Sequence, residues 1–283
     1  MLQMDNPHEI AHAARMLLNC PDAQAVPIID HCLIRLLNAA EPPRNISIGG
    51  GANYHHAGWK NFDAAPGPLN PWPVAFTPKT TFPVPNAWAR TVYSSHCLEH
   101  LDDATVSRVL TEARRMLRPD GALVLKLPDF EQVLERWRAG DEAYFDQWGM
   151  QDVIPTWKNM GVEATIDAKA AMIFCGWWND AYGDEFGKRT PDALGAYHGP
   201  LMSSMSDNFT PHVLARLMRQ SANLFSPVHF NHQNAWSRAE LAALIEAHGF
   251  NVISMDEIEI CEKYADIPGL HEQCNISMYA VAA

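Results

Sequence analysis

Apolar residues recur along this chain in two alternating ways: short continuous runs, and longer segments where they return every three to four positions. Residues 8 to 39 keep the helical spacing in two pieces broken near Pro21. The second piece, roughly Ile28 to Leu37, sets Ile28, Ile29, Cys32, Leu33 and Leu36 on one face. Asn45-Ile46-Ser47-Ile48 is a short apolar strand that runs into Gly49-Gly50-Gly51, and Trp59-Lys60-Asn61-Phe62-Asp63 reads as the next strand. A proline-rich passage from Pro66 to Pro85 shows no clear helix, and Arg90 to Ser95 is again a strand. Helical spacing then returns in Val106, Val109, Leu110, Ala113, Met116 and Leu117, with Asp102 and Asp103 at the positive end of the helix dipole. Pro119-Asp120-Gly121 predicts a turn into Ala122–Leu127, a buried strand stopped by Pro128-Asp129.

The alternation lapses from 130 to 235, a stretch rich in aromatics (Trp137, Trp148, Trp157, Trp177, Trp178, Tyr182, Tyr197) with several short helical patterns between Gly and Pro. It resumes at Ser237-Arg238-Ala239-Glu240, a capping box whose helix carries Leu241, Leu244 and Ile245 and stops at Gly249. Two closing strands follow, Asn251–Ser254 and Ile276–Val281. The pattern predicts an α/β protein in three parts. Residues 1–44 form an N-terminal helical segment, 45–129 with 236–283 an α/β core, and 130–235 a largely helical insertion.

Composition narrows the function classes. A chain of 283 residues with 47% hydrophobic content can bury a large core. A formal net charge of -12 disfavours a nucleic-acid partner, and no basic run exceeds Arg114-Arg115. The six cysteines are scattered without a C-x-x-C and read as reduced thiols of a cytoplasmic protein. The first residues, Met1 to Pro7, have neither the basic region nor the apolar core of a signal peptide. No run of about 18 apolar residues is present, so no membrane span is expected.

The densest chemistry lies at the glycines. Glycines at a strand's carboxyl end let the backbone turn sharply and a ligand come close, and Asp63 stands where a carboxylate can accept both hydroxyls of a ribose. The dinucleotide fingerprint fails on two counts: Tyr54 occupies the place of its third glycine, and its acid belongs about 20 residues on. Residues 52 to 62 cannot hold both a full helix and a strand, so the first helix must be stunted. A pyrophosphate wants a helix N-terminus aimed at it, whereas a ribose ligand without phosphate does not. S-adenosylmethionine is the common ligand of that kind.

Four segments in order resemble the class I S-adenosylmethionine-dependent methyltransferases. They are ISIGGG with GWKNFD, then SSHCLEHL, then EARRMLRPDGALVLKLPD, and the helix ending Ala247-His248-Gly249-Phe250. The match is closest to the small-molecule branch with GW-x-N-x-D and SSH-x-LEH motifs, and it covers about residues 45 to 129 and 236 to 282. The resemblance implies a Rossmann-like fold with a mostly parallel seven-stranded sheet and helices on both faces. It implies S-adenosylmethionine as cofactor, S-adenosylhomocysteine as product and a small-molecule acceptor, with a homodimer left open. Cofactor contacts fall to Gly49, Gly50, Gly51, Asn61, Asp63, Thr81, Ser94, Ser95 and His96. No acid is present in Lys79-Thr80-Thr81-Phe82, so adenine is assigned to backbone groups there. An insertion after the fifth strand is where this family builds its substrate cover, which places Trp177, Trp178 and Tyr182 at the acceptor.

If the acceptor is a hydroxyl or a ring N–H, a histidine near its ordinary pKa serves as base, and His100, His198, His229 and His232 are the candidates. His96-Cys97-Leu98-Glu99-His100 also fits H-x-x-E-H, a zinc signature. A strand ending in Ser94-Ser95 is the wrong context for that signature, and the methyltransferase loop explains the same letters, so no metal is expected. Most of the tryptophans are expected to fill a core. The rival functions are a metal-dependent hydrolase built on His96 and His100, and a non-catalytic partner subunit with the same fold.

Overall fold

The computed structural model describes residues 34, 38, 43–52, 54–65, 73–148, 164–175, 208–222 and 232–283. Six strands form one sheet: β1 (Asn45–Ile48), β2 (Trp59–Phe62), β3 (Ala89–Ser95), β4 (Leu117–Pro128), β5 (Val252–Ser254) and β6 (Ser277–Ala282). Their order is β2-β1-β3-β4-β6-β5. β1 pairs parallel with β2 and with β3, and β3 with β4, whereas β6 lies antiparallel between β4 and β5. The sheet is therefore mixed and six-stranded among the described residues, against an expected seven. No strand forms in 73–80, where Thr80 N–H closes a turn on the Thr77 carbonyl at 3.0 Å. Pro73 and Pro78 have no N–H to give a ladder.

Seven helices complete the described structure: α1 (Asp103–Met116), α2 (Phe130–Ala139), α3 (Glu142–Asp146), α4 (Ile166–Cys175), α5 (Pro211–Ala222), α6 (Arg238–Glu246) and α7 (Glu257–Lys263). α1 starts where Asp102 accepts the N–H of Thr105 at 2.7 Å, and its buried face of Val106, Val109, Leu110, Ala113 and Met116 packs on Ile46, Ile48, Val92 and Leu123 of the sheet. α6 joins the same core through Leu241 and Ile245, and its Ser237–Glu240 capping box forms as the sequence predicts. The opposite face is covered by α7 and the loop after it, with Ile260, Ile267 and Leu270 on Tyr93, Val124 and Tyr279. Helices α2 to α5 build a separate core from Phe130, Val133, Trp137, Phe145, Trp148, Phe174 and Leu214.

Two local expectations change. Between β1 and β2 the described residues hold turns and irregular chain, with no helix among them where a short one is expected. Pro119-Asp120-Gly121 is a bulge inside β4, not a turn ahead of it: Ala89 faces Leu117, and Thr91 faces Ala122. A Cβ on Gly121 would come within 3.0 Å of the Ala89 and Arg90 carbonyls, so the bulge needs glycine. The predicted N-terminal helices lie almost wholly outside the described residues.

Glu112 clamps the passage before β3 onto α1. Its carboxylate accepts from Arg115 at 2.7 Å and from the Phe82 N–H at 3.0 Å, and Arg108 stands 3.2 Å away. Burial alone would raise its pKa; the Arg115 and Phe82 hydrogen bonds with the two guanidinium charges outweigh it and hold the carboxyl below the ordinary range. A depressed folded pKa contributes stability that is present above the unfolded value of about 4.3 and lost as pH falls through the folded one. Glu112→Gln is expected to cost about 2 to 3 kcal/mol at neutral pH and to flatten the acid limb of a melting-temperature profile below that unfolded value. A variant whose acid limb matches the parent's would remove Glu112 from that role.

Candidate functional site

Strand order reverses about β1, which has β2 on one side and β3 on the other. Ligands of open α/β sheets bind at the carboxyl ends beside such a point. There the chain leaves β1 through Gly49 and Gly51, with φ of +74° and +80°. Gly49 lies directly on the turn after β3: an added Cβ would overlap Cys97 Sγ and Cβ. A Cβ on Gly50 would come 2.6 Å from Ser47 Oγ and 2.7 Å from the Tyr54 ring, so Gly50 is required by packing. Gly51 differs, because a Cβ there meets nothing within 4 Å. Its glycine is demanded by the backbone angle alone, and it faces open space.

The end of β2 grips this turn. Asp63, buried, accepts the Gly51 N–H at 2.8 Å through Oδ2 and the Ala65 N–H at 2.6 Å through Oδ1. Asn61 Nδ2 donates to the Gly51 carbonyl at 2.8 Å. Both backbone groups of Gly51 are thereby fixed by side chains that the sequence assigns to the cofactor. Thr81 is exposed and its hydroxyl accepts from Arg108 at 2.6 Å. The neighbouring Phe82 N–H is taken by Glu112, which removes one backbone donor from the adenine assignment.

β3 delivers the second half of the site. Ser94 is buried, Ser95 half-buried, and His96 then adopts a left-handed φ of +46°, unusual for a side chain bearing a Cβ. His96 Nε2 lies 3.0 Å from Ser277 Oγ, whose own proton goes to the Gln273 carbonyl at 2.8 Å. Nε2 is therefore the donor, and Nδ1 points at Glu99, 3.6 Å from Oε1. A single 3-10 turn, Leu98–His100, carries Glu99 inward until it is 0% exposed. Burial pushes the Cys97 thiol up, so it serves as packing rather than as a nucleophile.

The return from the helical region completes the cluster. The Glu99 carbonyl accepts the N–H groups of Gln233 at 2.6 Å and Asn234 at 3.0 Å, and Asn234 Nδ2 donates to the Leu101 carbonyl at 2.7 Å. These bonds seat His232 edge-on against His100, ring centres 4.7 Å apart, with Phe130 on its other side. His232 Nδ1 donates to the Ile173 carbonyl at 2.6 Å, which leaves the lone pair on Nε2. Burial, reinforced by His100, pushes its pKa down to about 3, so the ring is neutral. Burial pushes the Glu99 carboxyl up, but its contact with His96 and the nearby His100 outweigh it and hold the group below the ordinary range.

Together with Pro128, Trp148, Gln273 and Ile276, these residues line a half-open cavity of about 240 Å³ at the carboxyl edge of the sheet. Lys126, buried on β4, anchors the wall that carries Gln273 by donating to the Gly269 carbonyl at 3.2 Å and to that of Glu272. Of the predicted site residues, Gly49, Gly50, Gly51, Asn61 and Asp63 form one group and His96, His100 and His232 another. The Gly49–Cys97 contact joins the two. His198, His229, Trp177, Trp178 and Tyr182 lie outside the described residues. Phe174, their neighbour in sequence, is core, packed on Phe130 and Trp137. Glu99, Trp148 and Gln273 were not foreseen as site residues. Only Glu99 carried a signal, through the H-x-x-E-H spacing.

Residues 74–125, from the turn at 77–80 through β3 and α1 into β4, match a family model described as a methyltransferase domain. No curated protein matches the chain. Among solved structures it is similar to an S-adenosylmethionine-dependent methyltransferase from Mesorhizobium loti, at 14% identity and a TM-score of 0.35 over 88% of this chain and 95% of that one. It is also similar to PKMT2 from Rickettsia typhi in complex with AdoHcy, at 8% identity and a TM-score of 0.37 over 90% of this chain and 52% of that one. No helix among the described residues is long and apolar enough to cross a membrane.

Proposed function

We propose that the protein is an S-adenosylmethionine-dependent methyltransferase acting on oxygen or nitrogen of a small, planar acceptor in the cytoplasm. The observation that carries the cofactor assignment is the Gly49–Gly51 turn at the exit of β1, with Gly51 held by both Asn61 and Asp63. Asp63 receives the ribose hydroxyls, since a carboxylate oxygen can accept more than one hydrogen bond and so can hold turn and ligand together. Gly49 to Gly51 would hold the cofactor's methionine end, with Ser94, Ser95 and His96 beside the sulfonium.

Transfer is a single displacement. S-adenosylmethionine bound there would supply the methyl group: the acceptor's lone pair would bond to the methyl carbon as the carbon–sulfur bond breaks, the pair going to sulfur and leaving a neutral thioether. No acid is needed. The protein's work is alignment at about 3 Å and exclusion of water. His100 half-faces the cavity and suits the removal of an acceptor proton, whereas His232, its pKa pushed down to about 3 by burial, is too weak a base for that step and packs against His100 instead. Acceptor size is supported by the cavity of about 240 Å³, below the usual range for drug-sized ligands, and by Trp148 in its wall. The net charge of -12 argues against a polyanionic acceptor. His198, His229, Trp177, Trp178 and Tyr182 are assigned to the acceptor's cover.

The test is calorimetric titration with S-adenosylhomocysteine and, separately, with NAD. Saturable binding of the first and none of the second is expected. Binding of NAD, or no heat with S-adenosylhomocysteine, would overturn the assignment.

A further inference from the structure

We propose that Glu99, His100 and His232 form a site for one divalent transition-metal ion, zinc fitting best, that opens into the cavity beside the glycine turn. The role of the ion deepens the methyltransferase reading and rests on it; its binding does not. One ligand atom from each of the three residues lies within 4.8 Å of the others. Bonds of about 2.1 Å in a tetrahedral site set ligand atoms about 3.4 Å apart, so closure takes only small rotamer shifts.

No hydrogen bond among the described residues occupies the ligand atoms. His232 donates Nδ1–H to the Ile173 carbonyl and presents the Nε2 lone pair, the outer hydrogen bond that metal-bound imidazoles commonly make. His100 Nδ1 is buried, and it has no hydrogen-bond partner among the described residues. The same is true of both oxygens of Glu99. A carboxylate wholly out of water is costly to leave without close partners, and a cation bonded to it would compensate that burial more fully than the histidines around it.

His96 as an imidazolium is the competing source of that charge. It stands 3.6 Å from Oε1, beyond hydrogen-bond length, and leaves Oε2, His100 Nδ1 and His232 Nε2 without a role. A single cation satisfies all three residues at once. The scaffold is also fixed in advance, because the Glu99 carbonyl is tied to Gln233 and Asn234 on the strand of chain that bears His232. Two imidazoles with one carboxylate suit zinc and its first-row neighbours rather than magnesium, which prefers oxygen. Three protein ligands leave a coordination position toward the cavity. An acceptor with a hydroxyl or other oxygen donor would occupy it, oriented and made more acidic by the ion, which in the metal-bound form takes the place of a histidine base.

The test uses the full chain after chelator treatment. Zinc titration should show one equivalent bound, and cobalt in its place should develop a visible d–d spectrum. His100→Asn and Glu99→Gln should each lower zinc affinity by more than the roughly 10- to 100-fold that follows loss of an outer partner. Thermal melts check that the variants fold. Half-exposed His100 carries the comparison if Glu99→Gln does not. S-adenosylhomocysteine titration on the same preparation separates the two proposals. Its binding without zinc binding overturns the metal site and spares the cofactor assignment; zinc binding without it does the reverse. Zinc affinity unchanged in His100→Asn also overturns the site.

Discussion

Asp63→Ala is expected to weaken S-adenosylhomocysteine binding by about 2 to 4 kcal/mol, roughly 30- to 1000-fold. Two losses add. The carboxylate no longer accepts the ribose hydroxyls, and the Gly51 and Ala65 N–H groups lose the acceptor that shapes the turn, at 2.8 and 2.6 Å. Asp63→Asn separates them, because the amide oxygen can still take one backbone N–H while the charge is gone. Its affinity should fall between those of the parent and the alanine variant. Calorimetry on the three proteins decides, and equal affinities would remove Asp63 from the ribose site.

The second large effect is expected at Gly49 rather than at Gly51, although the two look alike in sequence. A methyl group on Gly49 overlaps the side chain of Cys97, which is itself buried and cannot retreat without moving the turn that carries His96, Glu99 and His100. Gly49→Ala should therefore abolish measurable cofactor binding. Gly51→Ala meets no protein atom, so within the protein it bears only the left-handed backbone, a cost of about 1 to 2 kcal/mol. Pairing Gly49→Ala with Cys97→Gly removes the overlap and should restore part of the affinity, leaving a deficit like that of Gly51→Ala. Equal behaviour of the two single variants, read by the same titration, would show that the Gly49–Cys97 contact does not set the pocket.

Much of this architecture was legible because its signals are local. The ISIGGG strand, the α1 stripe from Val106 to Met116 and the Ser237–Glu240 cap each need only neighbours in sequence to be read. α7 escaped notice because its seven residues bury only Ile260 and otherwise look like an acidic loop. The β4 bulge escaped because Pro-Asp-Gly reads as a turn until Ala89 and Arg90 are found pressed against Gly121. The pairing of His100 with His232 could not be read from spacing. His100 and His232 are distant in sequence and meet only because the Glu99 carbonyl happens to receive the amides of 233 and 234. Their candidacy as bases came from residue type; their proximity came from the fold.

β6 has a consequence for how the protein is made. The sheet is not extended in chain order: its penultimate position is filled last, by Ser277–Ala282 sliding between β4 and β5, and all six of its residues end up buried. During synthesis, β4 with its apolar run Leu123, Val124, Leu125 and Leu127 must wait as an unpaired edge until well over a hundred further residues have emerged. Nascent chains stalled before residue 277 therefore present a sticky border that the finished molecule hides. The nascent chain, more than the finished protein, is therefore the form expected to be prone to aggregation.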